Sequence, residues 1–170
     1  MKITDVTVTL FKWEDIPTTN YSPLSGKIGG ESDLGLVKIS TDEGIDGHAF
    51  LGSSSQPARL DVQSLIKYLK PVLVGQNPLD RERLWQLLSQ LTRKAGSRGV
   101  GTCDIALWDI GGKAANMPIH QLLGTYRTTV EAYASSTVYE EPEAYADEAA
   151  QMKSEGWSAY KIHPPTNPEL

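Results

Sequence analysis

A single cysteine, Cys103, stands among 170 residues, so no internal disulfide can form, and a lone thiol suits a reducing compartment. No stretch approaches ~18 consecutive apolar residues, so no membrane span is expected. Positive charge is in deficit: 16 Lys+Arg face 21 Asp+Glu, for a formal net charge of −5. A general nucleic-acid binder needs the opposite balance, and the short cluster Arg93, Lys94 and Arg98 does not restore it. The N-terminus, MKITDVTVTLFKWED, lacks the unbroken apolar run of a signal peptide; it alternates and includes Asp5. Internal repeats and low-complexity tracts are absent from the sequence. What remains is an ordinary globular mixture, 39% hydrophobic and 22% charged. The expectation is a cytoplasmic protein with neither a nucleic-acid nor a membrane partner.

Residues 2–13 alternate, with Val6, Val8 and Leu10 on one face, and predict a strand with one face buried. Residues 17–33, PTTNYSPLSGKIGGESD, are rich in Gly, Ser, Pro and Thr and predict a long mobile loop. LGLVKIS, the turn TDEGIDG and HAFLG then predict a β-hairpin. Three helices follow. Val62, Leu65, Ile66 and Leu69 have helical spacing, with Pro71 closing the segment. Leu84, Leu87, Leu88 and Leu91 repeat it, opened by Asn77 as N-cap and Pro78 at the first helical position. The third helix runs from about residue 100 to 117, with Val100, Cys103, Leu107, Ile110, Ala114 and Met117 in one stripe, so Cys103 reads as a core residue.

Beyond PIHQLLGTYR the pattern changes. TTVEAYASS is a β-rich run, EEPEAYADEAAQMKSEG an amphipathic helix stopped by Gly156, and WSAYKIH a second strand halted by Pro164 and Pro165. Strand, helix, strand is a βαβ unit and implies parallel pairing. Residues 1–127 thus predict an α+β domain, and residues 128–170 the start of an α/β domain. A lone βαβ unit leaves strand edges unpaired. Either more chain follows Leu170 or the unit docks on something else.

Lys161 and His163 are two apart at the end of a strand, so their side chains share a face. The carboxyl end of a parallel strand is where ligands bind in α/β sheets and barrels. Spacing alone leaves open whether the pair is functional or merely an exposed Lys and His. Asp109 is spaced to pair with Lys113 at i+4, and Asp104 and Asp109 read as structural acids.

The stretch from Gly99 to Gly124, GVGTCDIALWDIGGKAANMPIHQLLG, carries Asp104, Ala106-Leu107-Trp108-Asp109, Gly112-Lys113, Pro118 and Leu122-Leu123-Gly124. In residue kind and spacing it resembles the signature of the mandelate racemase and muconate lactonising enzyme group of the enolase superfamily. The resemblance implies an α+β capping domain, a three-stranded meander plus helices, followed by the first β-α-β of an incomplete (β/α)7β TIM-type barrel. It also implies removal of a proton alpha to a carboxylate of a small acid, with Mg2+ in the complete enzyme. The metal-binding carboxylates of the group lie on later barrel strands, so this chain is expected to supply no metal ligand. Tyr160-Lys161-Ile162-His163 occupies the place of the group's Lys-X-Lys. By that resemblance Lys161 faces the substrate carboxylate, and His163, where the group usually has lysine, is the catalytic base or a hydrogen-bond partner. Residues 18–30 correspond to the capping-domain loop over the barrel mouth, making Tyr21 a candidate substrate contact; His48, in the hairpin's return strand near the second specificity loop, is another. Self-association into a homo-oligomer is implied in the same way.

Two classes of function follow. One is the N-terminal part of a magnesium-dependent enolising enzyme: an acid-sugar dehydratase in the first reading, a racemase, epimerase or cycloisomerase in the second. The other is a non-catalytic truncated or split capping-domain fragment.

Overall fold

The computed structural model describes residues 1–20 and 27–164. The chain divides into two compact units, Met1–Glu14 with Glu31–Thr125 and Asp15–Gly30 with Tyr126–Leu170. An antiparallel sheet of three strands runs in sequence order, β1 (Ile3–Asn20), β2 (Lys27–Thr41) and β3 (Gly47–Leu51), and its residues 3–14 and 31–51 belong to the first unit. The predicted hairpin forms, with Gly35 opposite Leu51, Val37 opposite Ala49 and Ile39 opposite Gly47. These residues alternate with partly exposed ones, so one face is buried and the other is not.

The helices cover that face. They are α1 (Arg59–Ser64), a π-helical stretch (Leu65–Leu69), α2 (Lys70–Leu73), α3 (Arg81–Ser89), α4 (Thr92–Ala115) and α5 (Ile119–Leu122). Ile3, Val6, Val37 and Ile39 pack with Leu65, Leu69, Leu73, Leu84, Leu88, Val100, Leu107 and Ile110, none more than 2% exposed. Each such side chain contributes about 1.5–3 kcal/mol of burial. Cys103 is in this core, as its place on the stripe predicts.

Several boundaries differ from the sequence reading. Pro71 does not close its helix, which runs on to Leu73. The preceding turn widens instead, and the Lys70 N–H donates to the Leu65 carbonyl five residues back. A wider turn relieves the clash of a proline ring with the preceding carbonyls. Asn77 does not cap α3: it forms a turn in which its side-chain oxygen accepts the Leu79 N–H, and the helix starts at Arg81. The third helix begins earlier than predicted, at Thr92, and kinks at Gly96. Its stripe is buried only as far as Ile110; Ala114 and Met117 are exposed.

In the second unit β4 (Ala134–Ser135) pairs in parallel with β5 (Tyr160–Lys161), and α6 (Pro142–Ser154) joins them. The predicted βαβ unit is present, but its strands are shorter than the runs TTVEAYASS and WSAYKIH. Ladder length is set by the residues that meet a partner, not by β-propensity. The segment 17–33, predicted as a loop, is extended strand where it is described, through Asn20 and again from Lys27. Its polar composition hides the strand: none of its described residues joins the apolar core, and the two that are buried, Ser32 and Asp33, are polar.

Candidate functional site at the end of β5

The register sets Ala134 beside Tyr160 and Ser135 beside Lys161. The Ser136 N–H continues the pairing by donating to the Lys161 carbonyl at 2.9 Å. This brings the exit of β4 against the exit of β5, where Lys161 and His163 stand.

The Lys161 ammonium lies 5.9 Å from the centre of the Tyr133 ring, within range of a cation–π attraction. His163 is held on both its backbone and its ring. Its backbone N–H donates to the Ser136 hydroxyl at 2.9 Å, and its imidazole Nδ1 is 2.9 Å from the Ser136 carbonyl oxygen. The Tyr145 hydroxyl of α6 bonds to the His163 carbonyl at 2.7 Å and accepts the Tyr139 N–H at 2.8 Å. The Ser135 hydroxyl is 3.4 Å from Nδ1. Ser136 is itself buried, at 5% exposure, and the Tyr139 and Tyr145 rings meet edge to face at 5.0 Å.

On the alternate face of the strand, Tyr160 bonds through its hydroxyl to Glu148 of α6. Burial, and then this carboxylate, push the Tyr160 phenol up to about 12. Tyr160 thus makes the strand's bond to the helix, and Ile162 beyond it is 51% exposed. Ser136 and Tyr145 escaped the sequence reading as partners of His163. The only available signal was a hydroxyl pair directly after the first strand of a βαβ unit.

His48 lies in the first unit. Its backbone N–H donates to Asp109 Oδ2 at 2.8 Å, and Lys113 Nζ reaches the same oxygen at 2.6 Å and the Asp46 carbonyl at 2.7 Å. The i+4 pairing of Asp109 with Lys113 is thus present, and it also ties α4 to the start of β3. The His48 ring lies 3.4 Å from Lys113 Nζ and borders an apolar depression of about 380 Å³ with Ile105, Trp108, Ile119 and Leu123. Burial raises the Asp104 carboxyl, the Arg81 charge opposes this and Glu82 adds to it; Arg81 itself stacks 3.1 Å above the Trp108 ring. Tyr21 lies outside the described residues.

Among the described residues no three His, Cys, Asp or Glu side chains converge into a set able to hold a metal ion. The described side chains do not make a magnesium site. Also among the described residues, no helix is long and apolar enough to cross a membrane.

Residues 8–124 match the family described as "Mandelate racemase / muconate lactonizing enzyme, N-terminal domain". The chain is 34% identical to D-xylonate dehydratase of Haloferax volcanii over 139 residues, which are 75% of this chain and 32% of that protein. It is 31% identical to cis-3-hydroxy-L-proline dehydratase of Roseibium aggregatum over 168 residues, covering 95% of this chain and 45% of that one. A member of the enolase superfamily from Polaromonas sp. JS666 superposes with a TM-score of 0.80 at 28% identity, over 95% of this chain and 44% of that one. Relatives also include a cycloisomerase and a racemase. The chain therefore spans less than half the length of these proteins.

Proposed function

We propose, from the premise that this chain belongs to the mandelate racemase / muconate lactonizing enzyme family, that the complete protein abstracts the proton alpha to the carboxylate of a sugar acid. The overall reaction is a dehydration. In this reading residues 1–127 are the capping domain and residues 128–170 open the catalytic barrel. Tyr21 and His48 are substrate contacts from the cap, and the complete protein is a homo-oligomer.

The observation that carries the reading is the Lys-X-His pair at the carboxyl end of a parallel strand, with the histidine tied on both its backbone and its ring. A lysine cation beside the substrate carboxylate favours the negative charge that develops when the alpha C–H bond breaks. A neutral imidazole within hydrogen-bond reach of that proton accepts it. Dehydratase chemistry is supported by relatives that act on xylonate and on hydroxyproline. Magnesium belongs to the complete enzyme in this reading. The described residues supply no site for it.

The test uses the complete polypeptide with magnesium and D-xylonate, D-galactonate or D-glucarate in D2O. Loss of the alpha-proton NMR signal, with or without 2-keto product, is expected for at least one acid. His163→Asn should slow that exchange by about 100-fold or more, the usual contribution of a positioned base. Exchange unchanged by His163→Asn sinks the assignment.

A further inference from the structure

The geometry points to Ser136 as a positioning residue that selects which nitrogen of His163 acts as the base; the inference rests on the catalytic reading above. A carbonyl oxygen can only accept a hydrogen bond. The 2.9 Å approach of Nδ1 to the Ser136 carbonyl therefore requires the proton to sit on Nδ1. In neutral imidazole the lone pair then belongs to Nε2.

Ser136 uses all its polar groups on the exit of β5: its N–H on the Lys161 carbonyl, its hydroxyl on the His163 N–H, its carbonyl on the His163 ring. At 5% exposure it is shielded from the water that would compete for these bonds. Tyr145 completes the clamp by holding the His163 carbonyl from α6. Backbone and ring are thus referenced to the same residue, and rotation of the ring about its bond to the backbone would break the bond to the Ser136 carbonyl.

In the step itself the substrate's alpha C–H bond breaks and its electron pair stays on the substrate as the enediolate. The proton forms a new N–H bond at Nε2. The imidazolium keeps its Nδ1–H on the Ser136 carbonyl, where a charged donor makes a stronger bond than a neutral one. The carbonyl thereby favours the protonated product of the transfer over the resting base.

The complete polypeptide, labelled with [15N]histidine, tests this by long-range 1H–15N spectra at neutral pH, the His163 signals being assigned by their loss in His163→Asn. A protonated, pyrrole-type Nδ1 and a pyridine-type Nε2 are expected. The reverse tautomer, or an averaged pair, overturns the clamp whatever the activity. Ser136→Ala removes the hydroxyl half of the clamp. It should move the nitrogen shifts toward averaging and lower kcat for alpha-proton exchange about 10–100-fold, as loss of an orienting partner does for metal-bound histidines, with KM little changed. Ser136→Thr should restore both. If Ser136→Ala does not fold, Tyr145→Phe, which loses the bond to the His163 carbonyl, is read in the same way. Unaltered shifts and kcat in the folded variant count against Ser136. A correct tautomer with exchange intact in His163→Asn would instead sink the catalytic reading beneath the proposal, so the two failures are told apart.

Discussion

Asp33 is 8% exposed and accepts the Arg59 backbone N–H at 2.6 Å, while its other oxygen meets the Arg59 guanidinium. A residue of β2 thus caps the first turn of α1, a bond between elements that no local capping pattern announces. Burial alone would raise this carboxyl. The Arg59 N–H, its guanidinium and the Ala58 N–H outweigh it and hold the carboxyl below its ordinary 3.8. A depressed folded-state value stabilises the fold fully above 3.8, and that contribution is lost progressively as pH falls from there through the lower folded-state value. Asp33→Ala is expected to cost about 1–3 kcal/mol at pH 7, and urea unfolding of variant and wild type should converge in acid. Cys103 makes the opposite case: burial, with Asp104 adding to it, pushes the thiol up to about 12. It should resist iodoacetamide in the folded protein at pH 8 and react once guanidinium unfolds the chain, which mass spectrometry reads directly.

The contact between β3 and α4 is closer than ordinary side chains allow. A Cβ on Gly47 would stand 2.1 Å from the Ala106 carbonyl oxygen and 2.7 Å from the Ile110 side chain. Gly47→Ala must push strand and helix apart, at an expected cost of about 1–3 kcal/mol or more by thermal unfolding. Asp109 secures the same contact through the His48 N–H and Lys113. Asp109→Ala should leave α4 helical and speed hydrogen exchange at the His48 amide, because it removes the bond to β3 while the i+4 pair with Lys113 that goes with it contributes only about 0.2–0.5 kcal/mol to the helix. The Asp109–Lys113 half of this arrangement was legible in the sequence, since i and i+4 adjoin on any helix. The His48 half was not, for it joins residues 61 apart. Pro71 taught the reverse lesson: a breaker in the sequence was absorbed by a widened turn that no composition rule signals.

Across the molecule, one unit holds the large apolar core and the other carries the Lys161 and His163 pair. Within the first unit, Leu107 is fully buried and Leu123 is 63% exposed, although both stand in the family signature. Leu107→Ala is expected to cost about 2–5 kcal/mol and Leu123→Ala less than about 0.5 kcal/mol, as read by urea denaturation. The signature segment therefore combines core positions with surface ones, and likeness to the family does not by itself sort them. In the second unit, the described contacts include a two-residue parallel ladder and the hydrogen bonds of Ser136, Tyr145 and Glu148. That unit is accordingly where single hydroxyl deletions should register most sharply.

The sequence determined the elements whose faces differ: the hairpin, the leucine-bearing helices and the βαβ unit. Burying one face imposes a period that composition cannot hide. It also determined the family, because the residues of the 99–124 stretch recur in kind and spacing. Tertiary structure alone decided how far β1 and β2 extend, since backbone pairing needs no amphipathic pattern. It alone brought the Ser136 carbonyl to the His163 ring across 27 residues. Parallel strands meet only through a crossover, so which carbonyl faces which imidazole depends on register, and register is a property of the folded pair.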